Sequence, residues 1–161
     1  RTVCGRFPNV TLRVIGGRFE SQGISTELVD WKFDRELQHF HDLDIGIMPL
    51  PLEEWSKGKS GCKLRQYMAA GVPGVGTAIG YNLELVDHGR TGFLATTQDE
   101  WVEHLTTLIE DAKLRNTIAA AARRDVEQRF AIDVIGPQLE AAMRETVDEF
   151  QSVSKTRRAA A

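Results

Sequence analysis

Lys57, Lys59 and Lys63 stand close together, interleaved with Gly58, Ser60 and Gly61, immediately ahead of a helical pattern that opens at Cys62. Backbone N–H groups at a helix start favour an anion, and glycines let a phosphate approach the chain closely. The lysines add positive charge at the same end. Together these features suit a diphosphate. The same string also fits a solvated loop with ordinary surface lysines, because Gly/Lys/Ser matches are common. It is not a Walker loop, since the spacing of its Gly, Lys and Ser is wrong.

Other chemistry-bearing residues are less concentrated. His39 and His41 are two apart on a helical pattern, which points them away from each other, so no metal is expected. Glu53 and Glu54 are adjacent and read as solvated acids, and no carboxylate pair suits a hydrolase. Trp31 ends an apolar run and suits either stacking on a base or strand-end packing. Trp101, Phe130 and Met143 read as core or interdomain residues, and Arg123-Arg124 as a solvated helix face.

Alternating elements position these groups. Apolar runs at Leu12–Gly16, Thr26–Trp31, Asp44–Leu50, Val72–Thr77 and Gly92–Ala95 read as strands. Between and after them, Arg35–Leu43, Cys62–Ala70 and Asn82–Asp87 read as helices, with Gly71 a C-terminal stop. From Thr97 the pattern is wholly helical. Thr97 and Glu100 make a capping box, followed by long helices over Ala112–Phe130 and Ile132–Phe150, the second with a kink at Gly136-Pro137. The alternation predicts an α/β fold, a Rossmann-like parallel sheet with helices on both faces. Ligands of such sheets bind beyond the C-terminal strand ends. The loops there are Gly16-Gly17-Arg18, Trp31-Lys32-Phe33, the long Pro49–Gly61 stretch and Ala78–Asn82. One domain over residues 1–150 is expected, and 151–161 reads as a disordered tail.

Four segments in order carry a family resemblance. Lys63-Leu64-Arg65-Gln66-Tyr67-Met68-Ala69-Ala70-Gly71-Val72-Pro73, then Gly80-Tyr81-Asn82-Leu83-Glu84-Leu85-Val86, resemble the core signature of retaining glycosyltransferases of family 4. Asp87-His88-Gly89-Arg90-Thr91-Gly92-Phe93-Leu94 resembles the family's next element, and the helices beyond also fit. The resemblance implies the two-lobed GT-B fold, with this chain the C-terminal lobe that binds a nucleotide-diphosphate sugar. The acceptor-binding N-terminal domain would be its partner in the same protein. The lobe's first strand and most of its first helix, with a basic pair for the diphosphate, are not matched. Activity of this chain alone is therefore not expected, and the exposed sheet edge should favour self-association.

The resemblance implies roles residue by residue. Lys59 or Lys63 lies near the diphosphate or sugar, and both are candidate catalytic cations. Gly58, Ser60 and Gly61 form the donor loop, with Gly16 and Trp31 in neighbouring loops. Gly80, Tyr81 and Asn82 meet the donor sugar, and Glu84 orients that loop or touches ribose. The family's best-known pattern is two glutamates seven residues apart, and those positions hold Gly58 and Gln66 here. Gln66 still offers an acceptor and donors to ribose hydroxyls, whereas Gly58 has no side chain to offer. A degenerate, non-catalytic sugar-nucleotide module is therefore the alternative to a hexosyltransferase.

Bulk composition agrees with a globular enzyme lobe and excludes other classes. The sequence has 161 residues, 42% hydrophobic, with a formal net charge of −3. A nucleic-acid binder would show a basic face, and no apolar run approaches the roughly 20 residues of a membrane span. Cys4 and Cys62 make no disulfide framework, so a reduced, cytoplasmic setting is expected. No cofactor is expected beyond the donor substrate. A receiver-like domain would need clustered acids at strand ends, and Asp30 and Asp44 do not build that cluster. An epimerase lobe would need crevice acids, and none stand out.

Overall fold

The computed structural model describes residues 1–19 and 21–159. Its elements in chain order are α1 (Thr2–Arg6), β1 (Leu12–Ile15), β2 (Thr26–Val29), α2 (Glu36–His41), β3 (Gly46–Met48), α3 (Glu54–Lys57) and α4 (Cys62–Ala70). Then come β4 (Gly74–Thr77), α5 (Asn82–Leu85), β5 (Phe93–Ala95), α6 (Gln98–Glu110), α7 (Ala112–Phe130) and α8 (Ile132–Ala159). Every expected strand is present, and every strand pair is parallel. One expectation needs correction. The strands form two hydrogen-bonded sheets, β1-β2 and β3-β4-β5, and not one.

β4 is central in its sheet and buried along its whole length. Its alternating faces receive different helices. Val75 packs with Leu108 and Ile118 in the core, flanked by Trp101 and Leu105 of α6. Leu64 of α4 instead lies against Gly74 and Gly76. Successive side chains of a strand point to opposite faces, so α4 and α6 cover opposite sides. Gly71 ends α4 in the left-handed region (φ 69°) with a Schellman-type pair, Gly71 N–H to Met68 O and Val72 N–H to Tyr67 O.

The chain divides into two compact units, one spanning Arg1–Asp125 and one beginning at Val126. The boundary falls inside α7, whereas the sequence suggested a single unit to residue 150. The second unit is helical, with Pro137 inside α8. Helical backbone continues to Ala159 through most of the stretch read as a disordered tail, and positions 160 and 161 lie outside the described residues. Met143 is exposed, as are Ile132, Leu139, Val147 and Phe150 of the same helix.

The capping box of α6 is present. Thr97 Oγ1 accepts from the Glu100 N–H (3.3 Å), and Glu100 Oε2 accepts from the N–H groups of Thr96 (2.6 Å) and Thr97 (3.0 Å). These backbone donors hold the Glu100 carboxyl below its ordinary range. A folded pKa below the unfolded one gives stability that is present above the unfolded value, about 4.3, and lost as pH falls through the folded value. Glu100→Gln should therefore lower Tm at neutral pH, and the difference from wild type should shrink as pH falls below the unfolded value in thermal melts.

Candidate functional site

The loops after β3 and β4 are bound to each other. Thr77, at the end of β4, donates its hydroxyl to the Leu50 carbonyl oxygen (3.0 Å) and accepts from the Leu50 N–H (2.7 Å). Asn82 Nδ2 donates to the Thr77 carbonyl oxygen (2.9 Å), which folds the Ala78–Asn82 loop back onto its strand. Two glycines then close the gap between the loops. Gly80 has φ 53°, and a Cβ there would overlap the Lys57 carbonyl oxygen and lie 2.8 Å from Lys57 Cα. Gly61 has φ 66°, and its Cβ would lie 2.8 Å from Leu85 Cδ2 and 3.1 Å from Asn82 Oδ1. Neither position admits a side chain, because the obstacle at Gly80 is backbone and both angles disfavour L-residues.

This packing presents the start of α4. Gly61 caps it without a side-chain hydrogen bond, and its carbonyl accepts the first helical bond from the Arg65 N–H (3.0 Å). The N–H groups of Cys62, Lys63 and Leu64 have no intrahelical acceptor, as in any first turn, and the helix dipole adds partial positive charge there. Lys59 lies just before, its Nζ 5.0 Å from the centre of the exposed Trp55 ring. Lys63 Nζ is 3.6 Å from Glu36 Oε1 and sits over the Phe40 ring. Lys57 is instead paired with Glu54 at 2.5 Å.

Gln66 lies one turn further along α4. Its Nε2 donates to the same Glu36 oxygen (3.4 Å), while its own Oε1 is buried without a hydrogen-bond partner. Glu36 of α2 thus holds Lys63 and Gln66 together. The sequence reading missed Glu36 and also Thr77, the strand-end hydroxyl on which both loops hang. Thr77 reads as one more β-branched strand residue, and its partner Leu50 lies 27 positions away. Glu36 sits in a helical pattern with nothing local to mark it.

The remaining expected residues divide. Ser60 is exposed beside Gly61, Tyr81 is half-buried as the N-cap of α5, and Glu84 is exposed in the first turn of that helix. Asn82 is buried and committed to the fold, its N–H donating to the Ile79 carbonyl oxygen (3.2 Å). Gly58 terminates α3, a short helix inside the Pro49–Gly61 stretch expected to be loop. The Gly58 N–H is used on the Trp55 carbonyl oxygen (3.3 Å), and a Cβ there would make only an ordinary 3.7 Å contact. Gly16 and Trp31 line a separate cavity with Arg18 and Asp30, and that lining includes none of Lys59, Lys63, Gln66 or Tyr81. Burial pushes the Tyr67 phenol pKa up, while its hydroxyl donates to the Ile47 carbonyl oxygen (3.2 Å). Among the described residues, no three His, Cys, Asp or Glu are grouped to hold a metal, and no helix is long and apolar enough to cross a membrane.

The model of the family Glycosyl transferases group 1 matches residues 2–111, which include both loops and all five strands. The chain belongs to that family. Among individual relatives of the glycosyl transferases, it is 33% identical over 86 residues to an N-acetyl-alpha-D-glucosaminyl L-malate synthase of Bacillus anthracis, covering 52% of this chain and 23% of that protein. The Alr3699/HepE structure from Anabaena in complex with UDP and glucose is similar at 27% identity and a TM-score of 0.62, over 74% of this chain and 32% of that one. The C-terminal domain of the group 1 protein LpcC from Francisella tularensis shares the fold at 18% identity (TM-score 0.62), covering 81% of this chain and 75% of that domain. The chain therefore spans about a quarter to a third of the longer relatives' length and has the α/β architecture of a GT-B C-terminal domain.

The glycine contacts differ enough to be tested side by side. Gly80→Ala should cost about 2 kcal/mol or more in urea unfolding, because it combines a positive φ with overlap against backbone. Gly58→Ala should change stability by no more than about 0.5 kcal/mol.

Proposed function

We propose that this chain is the donor-binding lobe of a retaining hexosyltransferase, and that the start of α4 holds the diphosphate of a nucleotide-diphosphate sugar. The observation that carries this reading is the packed loop pair, which fixes uncapped N–H groups beside Lys59 and Lys63. Helix starts of this kind are ready anion sites. UDP is the favoured nucleotide, because the similar Anabaena protein is described in complexes with UDP and with UDP-glucose.

The chemistry follows from charge. As the bond from the anomeric carbon to the departing diphosphate lengthens, negative charge grows on the phosphate oxygens. Fixed N–H dipoles and the Lys59 and Lys63 ammonium groups lower the energy of that charge more than the energy of the bound donor, which is what accelerates the step. Gln66 is assigned to the ribose hydroxyls, through the amide whose Oε1 has no partner within the protein. The Gly80 and Tyr81 backbone is assigned to the sugar, with Ser60 and Gly61 on the diphosphate. Gly58 follows as a spacer and Glu84 as a loop-orienting acid. The Gly16–Trp31 cavity is assigned to the base. The acceptor lobe would belong to the same whole protein, which we place in the cytoplasm.

A second reading rests on one observation. Gly58 and Gln66 occupy the positions where the resemblance expects glutamates, which favours a module that binds the nucleotide sugar without transferring it. Both readings require the same diphosphate site, so binding is the first test. In calorimetric titration, UDP should bind this chain and uridine should bind far more weakly. Lys63→Ala should weaken UDP by about tenfold, or 1.4 kcal/mol. Equal affinity for uridine and UDP, or no UDP binding at millimolar concentration, would contradict the assignment. Sugar transfer by the whole protein then separates enzyme from module.

A further inference from the structure

Glu36 does more than hold its two neighbours. We infer that it is a donor-binding residue, whose second carboxylate oxygen accepts a ribose hydroxyl and makes the site select ribose over deoxyribose. The inference rests on the donor reading above and adds to it a residue from another helix.

Position comes first. Glu36 opens α2, on the chain's path out of β2, and Lys63 lies in the first turn of α4, on the path out of β3. One turn further along each helix, Phe40 and Tyr67 meet edge to face with ring centres 5.6 Å apart. Phe40 is buried, and Lys63 Nζ lies 5.4 Å from the centre of its ring. These contacts fix α2 against α4, so the Glu36 carboxylate is held level with Lys63 and Gln66. A group already in place loses little freedom when a ligand arrives.

The carboxylate also has capacity to spare. Lys63 Nζ (3.6 Å) and Gln66 Nε2 (3.4 Å) both meet Oε1. Oε2 has no partner among the described residues. An ionised carboxylate accepts about four hydrogen bonds, and the side chain is 26% exposed. The helix dipole favours an acid in the first turn of α2, but that does not account for its reach across to α4.

Ribose supplies the matching chemistry. Its 2′,3′-diol presents two adjacent O–H donors. A carboxylate is an acceptor-only group, and its charge-assisted bonds are about twice as strong as neutral ones. Other α/β nucleotide sites read a ribose hydroxyl with an acid in this way. Gln66 is neutral and its free Oε1 is buried, so it gives the diol one acceptor set below the surface. Glu36 gives the second and stronger one. The Lys63 ammonium offsets the charge that this carboxylate brings near a diphosphate. A site built around a hydroxyl rejects the analogue that lacks it, because the acceptor is left unpaired.

The test is calorimetric titration of this chain with UDP, 2′-deoxy-UDP and 3′-deoxy-UDP. The wild-type chain should bind at least one deoxy compound about tenfold or more weakly than UDP. Glu36→Ala should weaken UDP by about tenfold and that deoxy compound by no more than about twofold, so that the preference collapses. Where thermal melts show that Glu36→Ala does not fold, Glu36→Gln keeps the size of the side chain and should lower the preference at least about threefold. Equal weakening of UDP and the deoxy compounds would leave Glu36 a positioning role alone and overturn the inference. So would a wild-type chain with no ribose preference. In both cases UDP binding that is weakened by Lys63→Ala leaves the donor reading standing. No UDP binding to the wild-type chain at millimolar concentration would overturn both.

Discussion

The contact on which the candidate site depends is the packing of two glycines against the neighbouring loop. Gly80 rests on the Lys57 carbonyl, and Gly61 rests on Leu85 and Asn82. These contacts lock the loop after β3 to the loop after β4. Thr77 and Asn82 anchor both loops to the sheet by hydrogen bonds to Leu50 and to the Thr77 carbonyl. A site that stabilises developing charge gains from donors that need not move. Here the donors are the first N–H groups of α4, and the loop packing fixes where that helix starts.

Charge is arranged around this start with restraint. Lys57 is taken by Glu54, and Lys63 shares Glu36 with Gln66. Lys59 lies against an exposed indole. Glu36 gives Lys63 and Gln66 a common partner on α2, so it sets the position of two side chains that the proposed function uses. The same α2 packs on α4, which ties the site to one face of the sheet.

Much of this was legible in the sequence. The five strands and most of the helices follow from apolar runs, the Gly71 stop and the Thr97–Glu100 box, because those signals are local. Lys59 precedes α4, and Lys63 and Gln66 share Glu36 in its first two turns. Other features depend on tertiary contacts that no local pattern carries. Gly58 looked like a loop glycine open to a ligand, yet its N–H ends α3. Thr77 looked like one more β-branched strand residue, and its two bonds to Leu50 span 27 positions. The division into two sheets was equally hidden, since strand pairing is a tertiary contact.

The central claim is that the first turn of α4, held by the loop after β4, binds a nucleotide diphosphate. The most direct measurement is a backbone-amide NMR titration of this chain with UDP. The account predicts the largest shifts at Gly61, Cys62 and Lys63, with a second group at Gly80 and Tyr81. Shifts confined to other surfaces, with these amides unmoved at saturation, would contradict it.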